Sequence, residues 1–137
     1  MSSTPVEATR VGTRTFEATN PRGARVAIGP DTDEGVFTPG ELLLAAVAGC
    51  VGLTVDGLVV RRVGEDARFQ VHTDRTKESD DAHEFASVSA DLDVDMSALD
   101  DEQRAALAAA ADRAVERLCT VSRTLKKGAP VTLTVSH

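Results

Sequence analysis

A chain of 137 residues is long enough for one domain with a real core, and with four Phe and no Trp or Tyr that core must be built from Ala, Val and Leu. A net charge of −7, with no basic run longer than Arg61-Arg62 or Lys126-Lys127, argues against phosphate-backbone binding and so against nucleic acid as a partner. The opening S-S-T-P-V-E-A-T-R lacks the apolar stretch of a secretory signal, so the chain is expected in the cytoplasm, where thiols stay reduced.

In chain order, residues 5 to 29 read as a hairpin turning at Asn20-Pro21-Arg22-Gly23, whose residue order suits a type I turn and puts Arg22 at its tip. An acidic link, D-T-D-E-G, leads to Thr38. There Thr38 as N-cap, Pro39 at the first helical position and Glu41 as capping-box carboxylate spell out a helix start. From Leu42 to Val55 no charge occurs, which predicts a helix buried on every side. Asp56 interrupts the run before it is long enough to span a bilayer, so no membrane is expected. Gly49, Gly52 and Gly57 each weaken this helix, which points to close packing against it. Arg61 and Arg62 suit its C-terminal end, and Gly64 can cap it.

Ala67 to Thr73 and Glu84 to Asp95 read as strands, the second alternating Ala86, Val88, Ala90, Leu92 and Val94 with Ser and Asp. A charged loop over residues 74 to 83 joins them. Asp100 to Leu118 is a second helix with an apolar stripe of Leu107, Ala110, Ala111, Ala114, Val115 and Leu118. After Cys119 comes a short helical turn closed by Gly128. Val131, Leu133 and Val135 supply a last half-buried strand. The order β-β-α-β-β-α-β implies a single α+β domain over 1–137 with mostly antiparallel pairing. A helix apolar all round, with one other long helix to cover it, calls for a second copy of the chain.

Two cysteines in a reduced compartment, with no C-x-x-C and no Cys/His cluster, are catalytic, redox-active or simply buried; no metal and no cofactor is expected. Cys50 is either a small apolar filler or a nucleophile. As a nucleophile it lies too far along its helix for the dipole to activate it and needs a cation from elsewhere. Cys119 is packing, or a thiolate favoured by the amides of the turn that follows. Together the pair suggests a reversible intramolecular disulfide. Asp91, Asp93 and Asp95 read as the wet face of a strand rather than a calcium loop, and His72 and His83 receive no role.

The blocks T-P-G-E-L-L-L-A-A-V-A-G-C at 38 to 50 and C-T-V-S-R-T-L-K-K-G at 119 to 128 resemble those of the OsmC/Ohr family, in its order and at a similar separation. The resemblance implies antiparallel sheets around a long buried central helix, an intertwined homodimer, and reduction of organic hydroperoxides. By position, Cys50 resembles the peroxidatic cysteine, Cys119 the resolving cysteine whose disulfide an external dithiol reduces, and Arg22 the arginine that stabilises the Cys50 thiolate. One position departs: Gly40 stands where typical peroxidases of the family carry a glutamate that pairs with that arginine. The departure loosens the expected hold on Arg22 and points to the OsmC-like branch. It also favours the alternative of a non-catalytic dimer that binds a small apolar ligand in the dimer cleft.

Overall fold

The computed structural model describes residues 5–76 and 83–136, which fall into two compact units, Met1–Leu44 and Ala45–His137. In the first unit, β1 (Glu7–Gly12), β2 (Thr15–Thr19) and β3 (Arg25–Ile28) form an antiparallel sheet in that order. The expected hairpin is therefore a three-stranded meander. A second turn interrupts its first arm at Thr13-Arg14, where Arg14 takes a left-handed φ of 54°. Gly12 in an otherwise strand-like run is the signal for that break.

The turn at Asn20 forms as the sequence implies. Its carbonyl accepts from the Gly23 N–H at 3.2 Å, and its Oδ1 accepts from the amides of Arg22 (3.1 Å) and Ala24 (2.9 Å). Gly23 sits at φ 91°, a conformation a side chain would strain. The acidic link ends in a fixed contact, because the Phe37 N–H donates to the Ala27 carbonyl at 2.9 Å beside a parallel bridge from Ile28 to Phe37.

Helix α1 (Pro39–Val63) opens with the expected capping box: the Thr38 N–H donates to Glu41 Oε1 at 2.8 Å, and the Glu41 N–H to Thr38 Oγ1 at 3.1 Å. At its other end the Gly64 N–H reaches the Val60 carbonyl at 2.8 Å, with Gly64 at φ 120°. Between these ends one ridge of the helix is buried, through Leu44, Val47, Val51, Val55 and Val59. That is the spacing of a single helical face. The opposite strip, Ala45, Ala46, Gly49, Leu53 and Gly57, is exposed, with Leu53 84% accessible.

The helix is thus not covered on every side by its own chain. The glycine expectation changes with it. A Cβ added at Gly52 would meet Val71 Cγ2 at an ordinary 3.8 Å, while one at Gly49 or Gly57 would point into open space.

In the second unit, β4 (Phe69–Thr76) and β5 (Ser87–Val94) pair antiparallel from Phe69–Val94 to Thr76–Ser87. The charged loop therefore starts later than residue 74, since Asp74, Arg75 and Thr76 belong to β4; residues 77–82 lie outside the described residues. Val88, Leu92 and Val94 of β5 turn inward, and Asp91 and Asp93 face outward.

Helix α2 (Asp101–Leu118) starts from an Asp100 cap. Asp100 Oδ1 accepts from the Gln103 N–H at 2.8 Å, and Gln103 Oε1 accepts from the Asp100 N–H at 2.9 Å. Leu107 and Ala111 of α2 pack with Val55, Val59, Val94 and Leu99 into the main core. Leu118, placed on that stripe by its spacing, is instead exposed at the helix end.

Helix α3 (Thr120–Lys127) follows at once and ends at Gly128, whose φ of 68° closes it. The last expected strand does not form. Residues 129–136 carry no regular structure, and Val131, Leu133 and Val135 are 94%, 87% and 86% exposed. Alternating residues make a strand only where a neighbouring edge supplies hydrogen bonds, and among the described residues the segment joins no sheet.

Candidate active site

The second unit brings the two cysteines together. Cys50, on α1, and Cys119, between α2 and α3, are both free thiols and share a small core with Val47, Val51, Val71, Val88, Val115 and Val121. Cys50 is half-buried and Cys119 fully buried. The Cys50 carbonyl accepts from Thr54 Oγ1 at 2.7 Å, a bond within the helix that leaves the sulfur itself unengaged by Thr54.

Cys119 is fixed from both sides. Its N–H donates to the Val115 carbonyl at 3.1 Å, which ends α2, and its carbonyl accepts from the Arg123 N–H at 3.0 Å, which begins α3. Its Sγ lies 3.1 Å from Ser122 Oγ. Burial pushes the Cys119 thiol up. Hydrogen bonds from the Ser122 side chain, from Cys50 and from the amides of Ser122 and Val121 outweigh that, and the group ionises below its ordinary 9.0. The donors around this buried sulfur make it a stronger acid than an ordinary cysteine, and Cys50 is its neighbour in the cluster.

Arg22 belongs to the first unit, at the exposed tip of the β2–β3 turn, as the sequence implied. Two residues of the second unit escaped the sequence reading. One is Ser122, which the spacing C-x-x-S at a helix start could have flagged, because positions i and i+3 are neighbours there. The other is Arg75, on the same face of β4 as Val71 and opposite Val88 in the register, with its guanidinium 5.1 Å from the Phe85 ring centroid.

A cavity of about 270 Å³ lies near the pair, between β5 and α2, walled by Val51, Leu92, Val94, Leu107, Ala111 and Val115. Two of its walls, Val51 and Val115, also touch the thiol cluster. An apolar molecule can be desolvated there against Val51 and Val115, the two walls shared with the thiol cluster.

The described residues form an α+β chain with antiparallel sheets and three helices, and its two free cysteines share one apolar cluster. The chain is a member of the OsmC-like protein family, which it matches over residues 31–134, a span that holds both cysteine blocks. It is similar to uncharacterised proteins of Mycobacterium bovis and Mycobacterium tuberculosis, 38% identical over 126 residues, covering 92% of this chain and 91% of theirs.

Among solved structures it resembles the OsmC-like protein from Mycoplasma pneumoniae, with 15% identity, 91% and 88% of the two chains covered and a TM-score of 0.64. It also resembles the organic hydroperoxide resistance protein OhrB of Bacillus subtilis, with 21% identity, 90% of each chain covered and a TM-score of 0.57. Likeness at those identities establishes the fold, which is the α+β arrangement the sequence implied.

Proposed function

We propose that this chain is a thiol-dependent peroxidase that reduces organic hydroperoxides, working as a homodimer in a reducing compartment such as the cytoplasm. What carries the reading is the meeting of Cys50 and Cys119, far apart in sequence, in one apolar cluster where hydrogen bonds lower the ionisation of the second below its ordinary value. The name of the Bacillus subtilis structure, an organic hydroperoxide resistance protein, supports the substrate class.

In this reading the Cys50 thiolate attacks the outer oxygen of the hydroperoxide. An S–O bond forms, the O–O bond breaks, and the alkoxide leaves with a proton as alcohol. The Cys119 thiolate then attacks the Cys50 sulfenic acid: the S–S bond forms, the S–O bond breaks, and hydroxide leaves to become water. An external dithiol restores both thiols by two exchanges. The family resemblance gives Arg22 the part of the cation that favours the Cys50 thiolate, and in this reading the cavity beside Val51 and Val115 receives the organic group.

Dimerisation has its own support. Leu53 and the strip around it on α1, with Val131, Leu133 and Val135, leave more apolar surface bare than a monomer of this size carries without purpose. A second copy laid on that strip would give α1 the all-round burial its sequence implies, and the 129–136 segment would gain a strand to pair with.

One equivalent of cumene hydroperoxide tests the reading. It should consume both thiols within minutes at neutral pH and leave a Cys50–Cys119 disulfide in the peptide mass spectrum. Full turnover by Cys50→Ser protein, or thiols untouched by the peroxide, would overturn it. Gly40 supports a second reading, a non-catalytic member that keeps a small apolar ligand in a dimer cleft. Inert thiols together with a ligand retained in native mass spectrometry would decide for that one.

A further inference from the structure

We propose that Ser122 is a positioning residue for the resolving step, its hydroxyl holding the Cys119 sulfur beside Cys50 as the thiolate that closes the disulfide. This rests on the function proposed above and adds a group outside the two cysteines and Arg22. The Cys119 side chain is fully buried, so water cannot solvate an anion there and the protein must supply the donors. Apart from Cys50, the hydrophobic side chains clustered with it are valines, which donate nothing. Ser122 Oγ, at 3.1 Å, is the hydroxyl in that cage. A hydroxyl accepts from the S–H of the thiol and, after rotating, donates to the thiolate, so one contact serves both states and is stronger in the charged one.

The charged groups on the elements around Cys119 do not take over this task. On β4, Arg75 shares the inward face but its guanidinium is stacked on Phe85. On α2, Asp112 and Glu116 are exposed. On α3, the Arg123 guanidinium is bound to the Arg117 carbonyl. From α1 the facing titratable group is Cys50 itself, and β5 contributes Val88.

The pH dependence separates this role from a merely structural one. Without the hydroxyl, Cys119 becomes a weaker acid. Less thiolate is then present at low pH, but the thiolate that forms is the better nucleophile, because reactivity rises with basicity at a slope of about 0.4–0.5. If the titration midpoint rises by about one pH unit, the two effects leave Ser122→Ala closing its disulfide about threefold more slowly below the native midpoint and about threefold faster above both.

The experiment has two arms. In Cys50→Ser protein, ultraviolet thiolate absorbance titrates Cys119 alone, and adding Ser122→Ala should raise its midpoint while Ser122→Thr restores it. In protein with both cysteines, disulfide closure after one equivalent of cumene hydroperoxide is followed across pH; Ser122→Ala should show the crossover with the first oxidation of Cys50 unchanged. A midpoint unmoved by Ser122→Ala, or a uniform slowing at every pH, overturns the role of Ser122 alone. Native protein that never oxidises at Cys50 overturns the function and this role with it.

Discussion

Cys50 and Cys119 share a side chain and differ in surroundings, and the difference assigns their parts in the proposed cycle. Cys50 is half-buried on a helix face, so a hydroperoxide can reach it. Cys119 is sealed, and a neighbouring sulfur is the electrophile open to it. We therefore expect Cys119→Ser protein to oxidise once at Cys50 and stall as a sulfenic acid, trapped by dimedone and seen by mass spectrometry; a dimedone adduct missing from that variant while peroxide is consumed would contradict the order.

The same donors have a consequence for stability. The folded-state ionisation of Cys119 lies below the unfolded value of 9.0, so the folded form holds its proton less tightly than the unfolded one does. Stability from this source is complete above 9.0 and is lost as pH falls through the folded value. Urea midpoints of the reduced protein, minus those of Cys119→Ser, should thus grow from neutral pH to above 9.0, and a difference that shrinks would contradict the shift.

Among the elements, α1 shows most directly what residues reveal on their own. Its start is local chemistry: Thr38 and Glu41 each satisfy the other's amide, so the four residues that write the cap also build it. Thr38→Ala should cost about 1 kcal/mol in urea unfolding, since one amide then loses its partner. An unchanged midpoint would mean that water replaces the cap at no loss.

The closure at Gly128 and the strands β4 and β5 were legible for the same reason, because each is set by neighbours in sequence or by strict alternation, whereas Asp100, read as the first helical residue, is the cap of α2. Burial was not. An uncharged run says that a helix prefers to be covered and not which chain covers it, so Leu53 reads as core and stands exposed. Val131, Leu133 and Val135 alternate like a strand but join no sheet among the described residues. The turn at Arg14 has only Gly12 to mark it, and the strand-like residues on both sides outweighed that signal. At the candidate site the cysteines stood out by type and spacing. Ser122 did not, because its importance comes from a 3.1 Å contact with a sulfur that sequence alone leaves between two roles.

At the scale of the molecule, two opposing forces set how the proposed dimer behaves. Bare Leu and Val on α1 and in residues 129–136 favour association through the area they remove from water, at about 25 cal/mol per Å². Each chain also carries a net charge of −7, so two copies repel across their whole surfaces. Salt weakens the second force and leaves the first nearly intact, because the Debye length falls from about 30 Å at 0.01 M to about 10 Å at 0.1 M. Association should therefore tighten as sodium chloride is added, which is opposite to an interface held by ion pairs. Sedimentation velocity over a concentration series at low and high salt reads this directly. The expected result is a dimer whose dissociation shifts to lower concentration in high salt. Leu53→Asp should move the same chain toward the monomer by placing a charge on the strip that the partner would cover. A species with the mass of one chain at micromolar concentration in every salt would leave α1 uncovered in solution and remove the dimer from the proposal.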